Sequence, residues 1–208
     1  MTITRVIYGS STRAPLVLFS RGNWRLAQTS GLAIVGSRKA SPYAYTVLNQ
    51  WLPTSVNRQL PIISGLAAGV DALSHQQALM NHGATIAVIG TGLDVAYPAA
   101  NRSLQQRLTR EQLVISEYPL KTPPARFRFP ERNCIIAGLS QAILVVEAAA
   151  RSGSLITANI GLQENRTILA VPGRITDPMS AGCNALIAAG AVPVTCAADV
   201  LLTLQNEP

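Results

Sequence analysis

The sequence predicts an α/β fold, a mostly parallel sheet with helices packed on both faces. Two observations carry this. Six short apolar runs end in glycine or a small polar residue, and a stretch of helical length follows each one. Apolar runs of strand length suit strands buried on both sides, the situation of a parallel sheet. Regular strand–helix alternation then places helices on either face of that sheet.

The elements follow in order. Residues 1–30, with PLVLFSRG, read as a lead-in segment carrying a strand. GLAIVGS (31–37) is the first buried strand, and Ser41-Pro42 opens a helix over about 42–58. PIISG (61–65) precedes a helix at 71–82, and TIAVIGTG (85–92) one at 101–110. QLVISE (112–117) leads to 130–139, QAILVVEA (141–148) to 154–165, and TILAVPG (167–173) to 182–190. No repeat, low-complexity segment or linker interrupts the series, so 31–208 reads as one domain behind the lead-in.

Composition narrows the function classes. The chain has 208 residues, 48% of them hydrophobic and 13% charged, against roughly 25% charged in typical soluble proteins. Much surface should therefore be buried, an oligomer interface included. No apolar run reaches the ~18 residues of a membrane span. MTITRVIYGSSTR lacks a signal-peptide apolar region, so a cytoplasmic protein without membrane attachment is expected. Cys134, Cys183 and Cys196 are too widely spaced for a disulfide framework or a zinc pattern. His75 and His82 have no cysteine neighbours, and neither metal nor cofactor is expected.

The net charge is +7, and arginine supplies all the basic residues except Lys39 and Lys121. A guanidinium offers a fork to phosphate and a plane for stacking, where an ammonium is a point charge. The basic balance points to a phosphate-bearing partner.

In such sheets ligands bind beyond the carboxyl ends of the strands. The loops there read Gly36-Ser37-Arg38, Ser64-Gly65-Leu66-Ala67-Ala68-Gly69, Gly90-Thr91-Gly92-Leu93-Asp94, Arg151-Ser152-Gly153-Ser154 and Val171-Pro172-Gly173. Small residues admit a ligand to the backbone, and free amides at helix starts favour anions. Neither G-x-G-x-x-G nor G-x-x-x-x-G-K-[ST] is present, which speaks against a dinucleotide fingerprint or an NTPase phosphate loop.

ARFRFPERN (125–133) alternates arginine and phenylalanine. As a strand it would put both rings on one face and Arg126 and Arg128 on the other. It is either a core-facing edge strand with a solvated outer face or a surface that meets bases and phosphates together.

The ordered set AIVGSRKAS, ISGLAAGVDALSH, GTGLDVAYPAANRSL, ISEYPLKTPP, FPERNCIIAGLS, VVEAAARSGSLITA, AVPG and DPMSAGCNALIAAGA resembles the Rossmann-like core of the DNA-processing protein A (DprA/Smf) family. The resemblance runs from about residue 32 to 191. It implies a cytosolic homodimer that is not an enzyme. Such a protein binds and protects single-stranded DNA and hands it to a RecA-type recombinase in natural transformation or recombination.

Carried over residue by residue, it implies that Gly36, Ser37 and Arg38 form part of a DNA pocket, with Arg38 gripping a phosphate. Phe129 would stack on a base, with Arg126, Arg132 and Asn133 beside it. Gly153, Ser154 and Thr157 would offer amides and hydroxyls. Phe127 reads as a core residue and Arg128 as a solvated charge. Cys134 stands where relatives carry arginine, which implies a lost pocket charge, with affinity either reduced or its source shifted to Arg126 and Arg102. The chain has no room for the flanking domains that many relatives carry. The apolar stretch 185–204 is the candidate dimer surface.

The rival reading is a nucleotide-binding sensor or phosphoribohydrolase of the same fold group. Its P-G-G-x-G-T-x-x-E element is absent, RSGSLITAN standing in its place. Glycosidic hydrolysis needs a carboxylate at the sugar, for which Glu147 and Glu117 are the candidates. Asp71 and Asp94 have helix-start and turn readings.

Overall fold

Along the strand Gly31–Val35, Leu32 and Ile34 enter one apolar cluster and Ala33 and Val35 another. This period of two on a strand buried throughout is what a central strand covered on both faces requires. The computed structural model describes residues 2–4, 15–55 and 60–205. Its strands are β1 (Thr2–Thr4), β2 (Leu18–Gly22), β3 (Gly31–Val35), β4 (Ile62–Ser64), β5 (Thr85–Ile89), β6 (Leu113–Ser116), β7 (Ser140–Val145), β8 (Thr167–Ala170) and β9 (Val192–Pro193). Among the described residues they form one sheet in the order β1-β2-β6-β5-β4-β3-β7-β8-β9. From β6 to β9 all neighbours are parallel; β1 and β2 add antiparallel at one edge.

The helices are α1 (Pro42–Ser55), α2 (Val70–Met80), α3 (Arg102–Glu111), α4 (Arg128–Leu139), α5 (Gly153–Gln163), α6 (Ala181–Ala188) and α7 (Ala197–Gln205). Ile135 and Ile136 of α4, Ala158 of α5 and Cys183 of α6 pack on one face of the sheet. Val47 of α1, Leu73 of α2, Leu104 of α3 and Val200 of α7 pack on the other. The α/β architecture with helices on both faces is therefore as the sequence predicts. No helix among the described residues is long and apolar enough to cross a membrane.

The expected lead-in strand is β2, joined to the sheet through β6. Two expectations change. ARFRFPERN is not a strand: a turn closed by Arg128 N donating to Ala125 O leads directly into α4. The stretch 185–204 is not one surface but the end of α6, β9 and most of α7, with Val194 and Val200 buried. The predicted helix end at 56–58, positions 1 and 5–14 of the lead-in, and 206–208 lie outside the described residues.

The topology fixes where a ligand can sit. From β3 the chain winds outward through β4, β5 and β6, then crosses back to β7 on the other side of β3. Connections leave β3 and β7 in opposite directions, and the crevice between them opens beyond their carboxyl ends.

Candidate nucleic-acid interface

Three segments meet over that crevice. The loop after β3 carries Gly36-Ser37-Arg38, and Val70 N of α2 donates to Ser37 O at 3.1 Å. Gly69 makes this approach possible: at φ +77° its Cβ position would lie 2.2 Å from Ser37 O. Ser37 is buried and its Oγ accepts from Lys39 N at 3.0 Å, so the loop is braced while Arg38 projects outward.

The second segment is the start of α5. Ser152 caps it, Oγ accepting from Ser154 N at 3.3 Å. A Cβ at Gly153 would meet nothing within 4 Å, so this helix start faces open space. The amides and dipole of a helix start favour an anion there.

The third segment is α4. Phe129, Arg132, Asn133 and Ile136 follow one another at helical spacing, and all four line the same cavity. Phe127 and Phe129 consequently diverge. Phe129 turns inward, stacked on Tyr97 at 5.4 Å between centroids, with Arg38 Cζ 5.5 Å from its centroid. Phe127 is 60% exposed, not a core residue, because it sits in the turn before the helix. Arg128 is more than a solvated charge: it lies over the Tyr118 and Phe127 rings and donates to Pro123 O.

These segments enclose a trough of about 680 Å³. Ten of the eleven sequence-predicted residues line it: Gly36, Ser37, Arg38, Arg126, Phe129, Arg132, Asn133, Gly153, Ser154 and Thr157. Arg102, at the start of α3, does not. Cys134 is also outside it, in the groove between α4 and α5 with Glu117 and Glu131, so that position takes no charge from the trough.

The floor of the trough is a buried arginine and a buried carboxylate whose charges act on one another, rather than a second gripping arginine. Arg132 is 5% exposed and its Nη1 donates to Val88 O. Burial lowers its pKa to about 10, with Asp71 opposing that shift and Arg38 adding to it, so it stays charged at neutral pH. Burial pushes the Asp71 carboxyl upward against the pull of Arg132, and its Oδ2 accepts from Ala67 N at 3.3 Å. Beneath them His75 is fully buried. Thr85 Oγ1 donates to Ile62 O, so it accepts from His75 Nδ1 at 2.7 Å, which places a proton on Nδ1. Burial, then Arg132, holds the His75 pKa down at about 3.

The carboxylates of the rival reading stand elsewhere. Glu147 is 2% exposed, and its Oε2 accepts from Ser41 N at 3.0 Å. It fills the anion position at the start of α1 with a side chain of the protein itself. Glu117 sits in the α4–α5 groove, its pKa raised by burial and by Glu131. Asp94 accepts from Lys121 N at 2.8 Å. Among the described residues Asp71 is the one carboxylate lining the trough.

Sequence reasoning missed Tyr97 and the pairing of Gly65 with Arg132. Tyr97 could have been found as an aromatic on a loop beyond the carboxyl end of β5. The Gly65–Arg132 match joins positions far apart in the chain and leaves no local signal.

The fold is shared with known proteins. The chain is 47% identical over 192 residues to DNA processing protein DprA of Streptococcus pneumoniae, covering 92% of this chain and 68% of that protein. The solved structure of that pneumococcal protein superimposes with a TM-score of 0.87 at 46% identity, over 91% of this chain and 66% of the other. Protein Smf of Escherichia coli is 41% identical over 94% of this chain, which spans 53% of its length. DNA processing protein A of Helicobacter pylori, in a structure describing its single-stranded DNA binding mode, matches with a TM-score of 0.87 at 26% identity, over 98% and 95% of the two chains. The family described as DNA recombination-mediator protein A matches residues 5–205, and the chain belongs to it.

Proposed function

We propose that the trough binds single-stranded DNA, protects it, and presents it to a RecA-type recombinase during DNA uptake or recombination, with the protein acting as a cytoplasmic homodimer. One observation carries the reading: Arg38, Arg126, Phe129 and the open start of α5 converge on one space whose one lining carboxylate among the described residues, Asp71, is buried and opposed by the Arg132 charge. Cationic forks and helix amides suit phosphates, while an aromatic ring suits a base that is not already stacked. The Helicobacter pylori relative's single-strand binding supports the same substrate class.

The protein acts by binding and not by turnover. A phosphoribohydrolase needs a carboxylate free to meet the sugar, and Glu147, capping α1, is committed elsewhere. For the homodimer, exposed Ile156 and Leu162 on α5, with Val192 and Leu202 in the 185–204 stretch, supply apolar surface. A gel-shift comparison of single- and double-stranded DNA, with nucleoside monophosphate hydrolysis assayed on the same sample, tests the reading. Selective single-strand binding without turnover is expected; turnover lost in Glu147→Ala would overturn it.

A further inference from the structure

The trough carries one group that works against a polyanion. Asp71, in the first turn of α2, lines it with a carboxylate, and no other carboxylate among the described residues does so. An acidic residue suits a helix start, yet this one is not turned out to solvent. Its Oδ2 accepts from Ala67 N at 3.3 Å, which folds the side chain back over the loop after β4.

The same loop carries the Arg132 guanidinium. Gly65 lies against it so closely that a Cβ there would stand 2.1 Å from Nη1. One short loop therefore brings a carboxylate 7% exposed and a guanidinium 5% exposed together in the wall of the trough. Each acts on the other: Asp71 favours the charged form of Arg132, and Arg132 favours the charged form of Asp71. Arg38 and Arg126 line the same space but are exposed.

We propose that Asp71 limits the grip of the trough: its carboxylate offsets the Arg132 charge beneath the bound strand, so that single-stranded DNA is released readily enough to be handed on. The inference rests on the single-strand reading above and assigns to one residue the control of how long the strand is held.

A cleft with low-dielectric walls focuses the field of the charges set in it. Arg132 alone would add a third cation to Arg38 and Arg126 under the phosphates. With Asp71 beside it the floor comes close to neutral, and the exposed arginines hold the strand. Affinity differences within one interface lie mostly in the dissociation rate, so the carboxylate shortens the life of the complex.

The test uses a fluorescent oligothymidylate. Its affinity is measured across a range of salt, and its dissociation is followed after excess unlabelled oligothymidylate is added. Asp71→Asn keeps the size of the side chain and an oxygen for Ala67 N but removes the charge. It should bind the oligonucleotide more tightly and release it more slowly in proportion. The log–log salt slope should steepen by up to about 0.7, the value of one further phosphate contact. A residue that merely supported the start of α2 would lose affinity on substitution and not gain it.

Unchanged or weaker binding by an Asp71→Asn protein of unmodified melting temperature overturns the proposal. So does tighter binding with an unchanged slope, which would assign the gain to a new amide contact. If Asp71→Asn does not fold, Arg132→Met is compared with Arg132→Met/Asp71→Asn, which leaves no uncompensated charge in the floor. The double variant should bind more tightly than the single one, and equal affinity overturns the proposal. None of these results touches the single-strand reading. Failure of the unmodified protein to bind oligothymidylate at any salt overturns that reading and the proposal with it.

Discussion

Gly65 and Arg132 are matched in space: a Cβ at residue 65 would stand 2.1 Å from Arg132 Nη1 and 2.5 Å from its Cζ. The guanidinium occupies the volume that any other side chain at 65 would claim. Arg132 cannot retreat cheaply, because its Nη1 is held by Val88 O and Asp71 opposes its burial cost.

Gly65→Ala should therefore overpack the floor and cost about 1–3 kcal/mol of stability. A shift in the denaturant midpoint measures it. Combined with Arg132→Met, which removes the crowded guanidinium, the two changes should cost less than their sum. Strict additivity would show that the two residues do not share that space.

Arg38 projects from a braced loop with its head group free of any carboxylate partner among the described residues. Arg38→Ala should weaken single-strand binding for every sequence alike and flatten its salt dependence. Each lost phosphate contact lowers the log–log salt slope by about 0.7 on single strands. An unchanged slope would assign Arg38 to the Phe129 ring alone.

His75 makes stability depend on pH. Its folded pKa of about 3 lies below the ordinary 6.5, so between these values the unfolded chain takes up a proton that the folded one refuses. Its contribution is complete above pH 6.5 and is lost as pH falls toward 3, at up to about 1.4 kcal/mol per unit. The Asp71 carboxyl, shifted upward by burial, acts in the opposite sense. Melting temperature followed from pH 7 to 4.5 should fall, and His75→Leu should remove part of that slope. An identical slope in the variant would contradict the neutral ring.

How much of this was legible depended on where the signal lay. Strands such as GLAIV and TIAVI were readable because burial on both faces leaves a continuous apolar run. The start of α4 was not, because alternating Arg126-Phe127-Arg128-Phe129 imitates a strand, while the working spacing is Phe129, Arg132, Asn133 and Ile136. The resemblance located ten trough residues but not their depth. An arginine reads as surface in sequence, and only Gly65 and Asp71, brought in by β4 and α2, reveal that Arg132 is floor. Glu147 looked like a candidate acid because its partner Ser41 is 106 residues away. β9 and most of α7 lie inside the one apolar stretch, 185–204, that the sequence offers as a dimer surface.

The most direct measurement is single-strand affinity and melting temperature of Phe129→Ala, beside Phe127→Ala as its neighbour outside the trough. Phe129 stands between Tyr97 and Arg38 at the wall of the trough, half-buried rather than enclosed. Its loss should cost about 5- to 150-fold in single-strand affinity with duplex binding changed much less. Its melting temperature should stay close to that of the unmodified protein, and Phe127→Ala should leave both quantities unchanged. A buried phenylalanine would behave otherwise, losing about 3–5 kcal/mol of fold stability. A large fall in melting temperature with single-strand affinity intact would contradict the account.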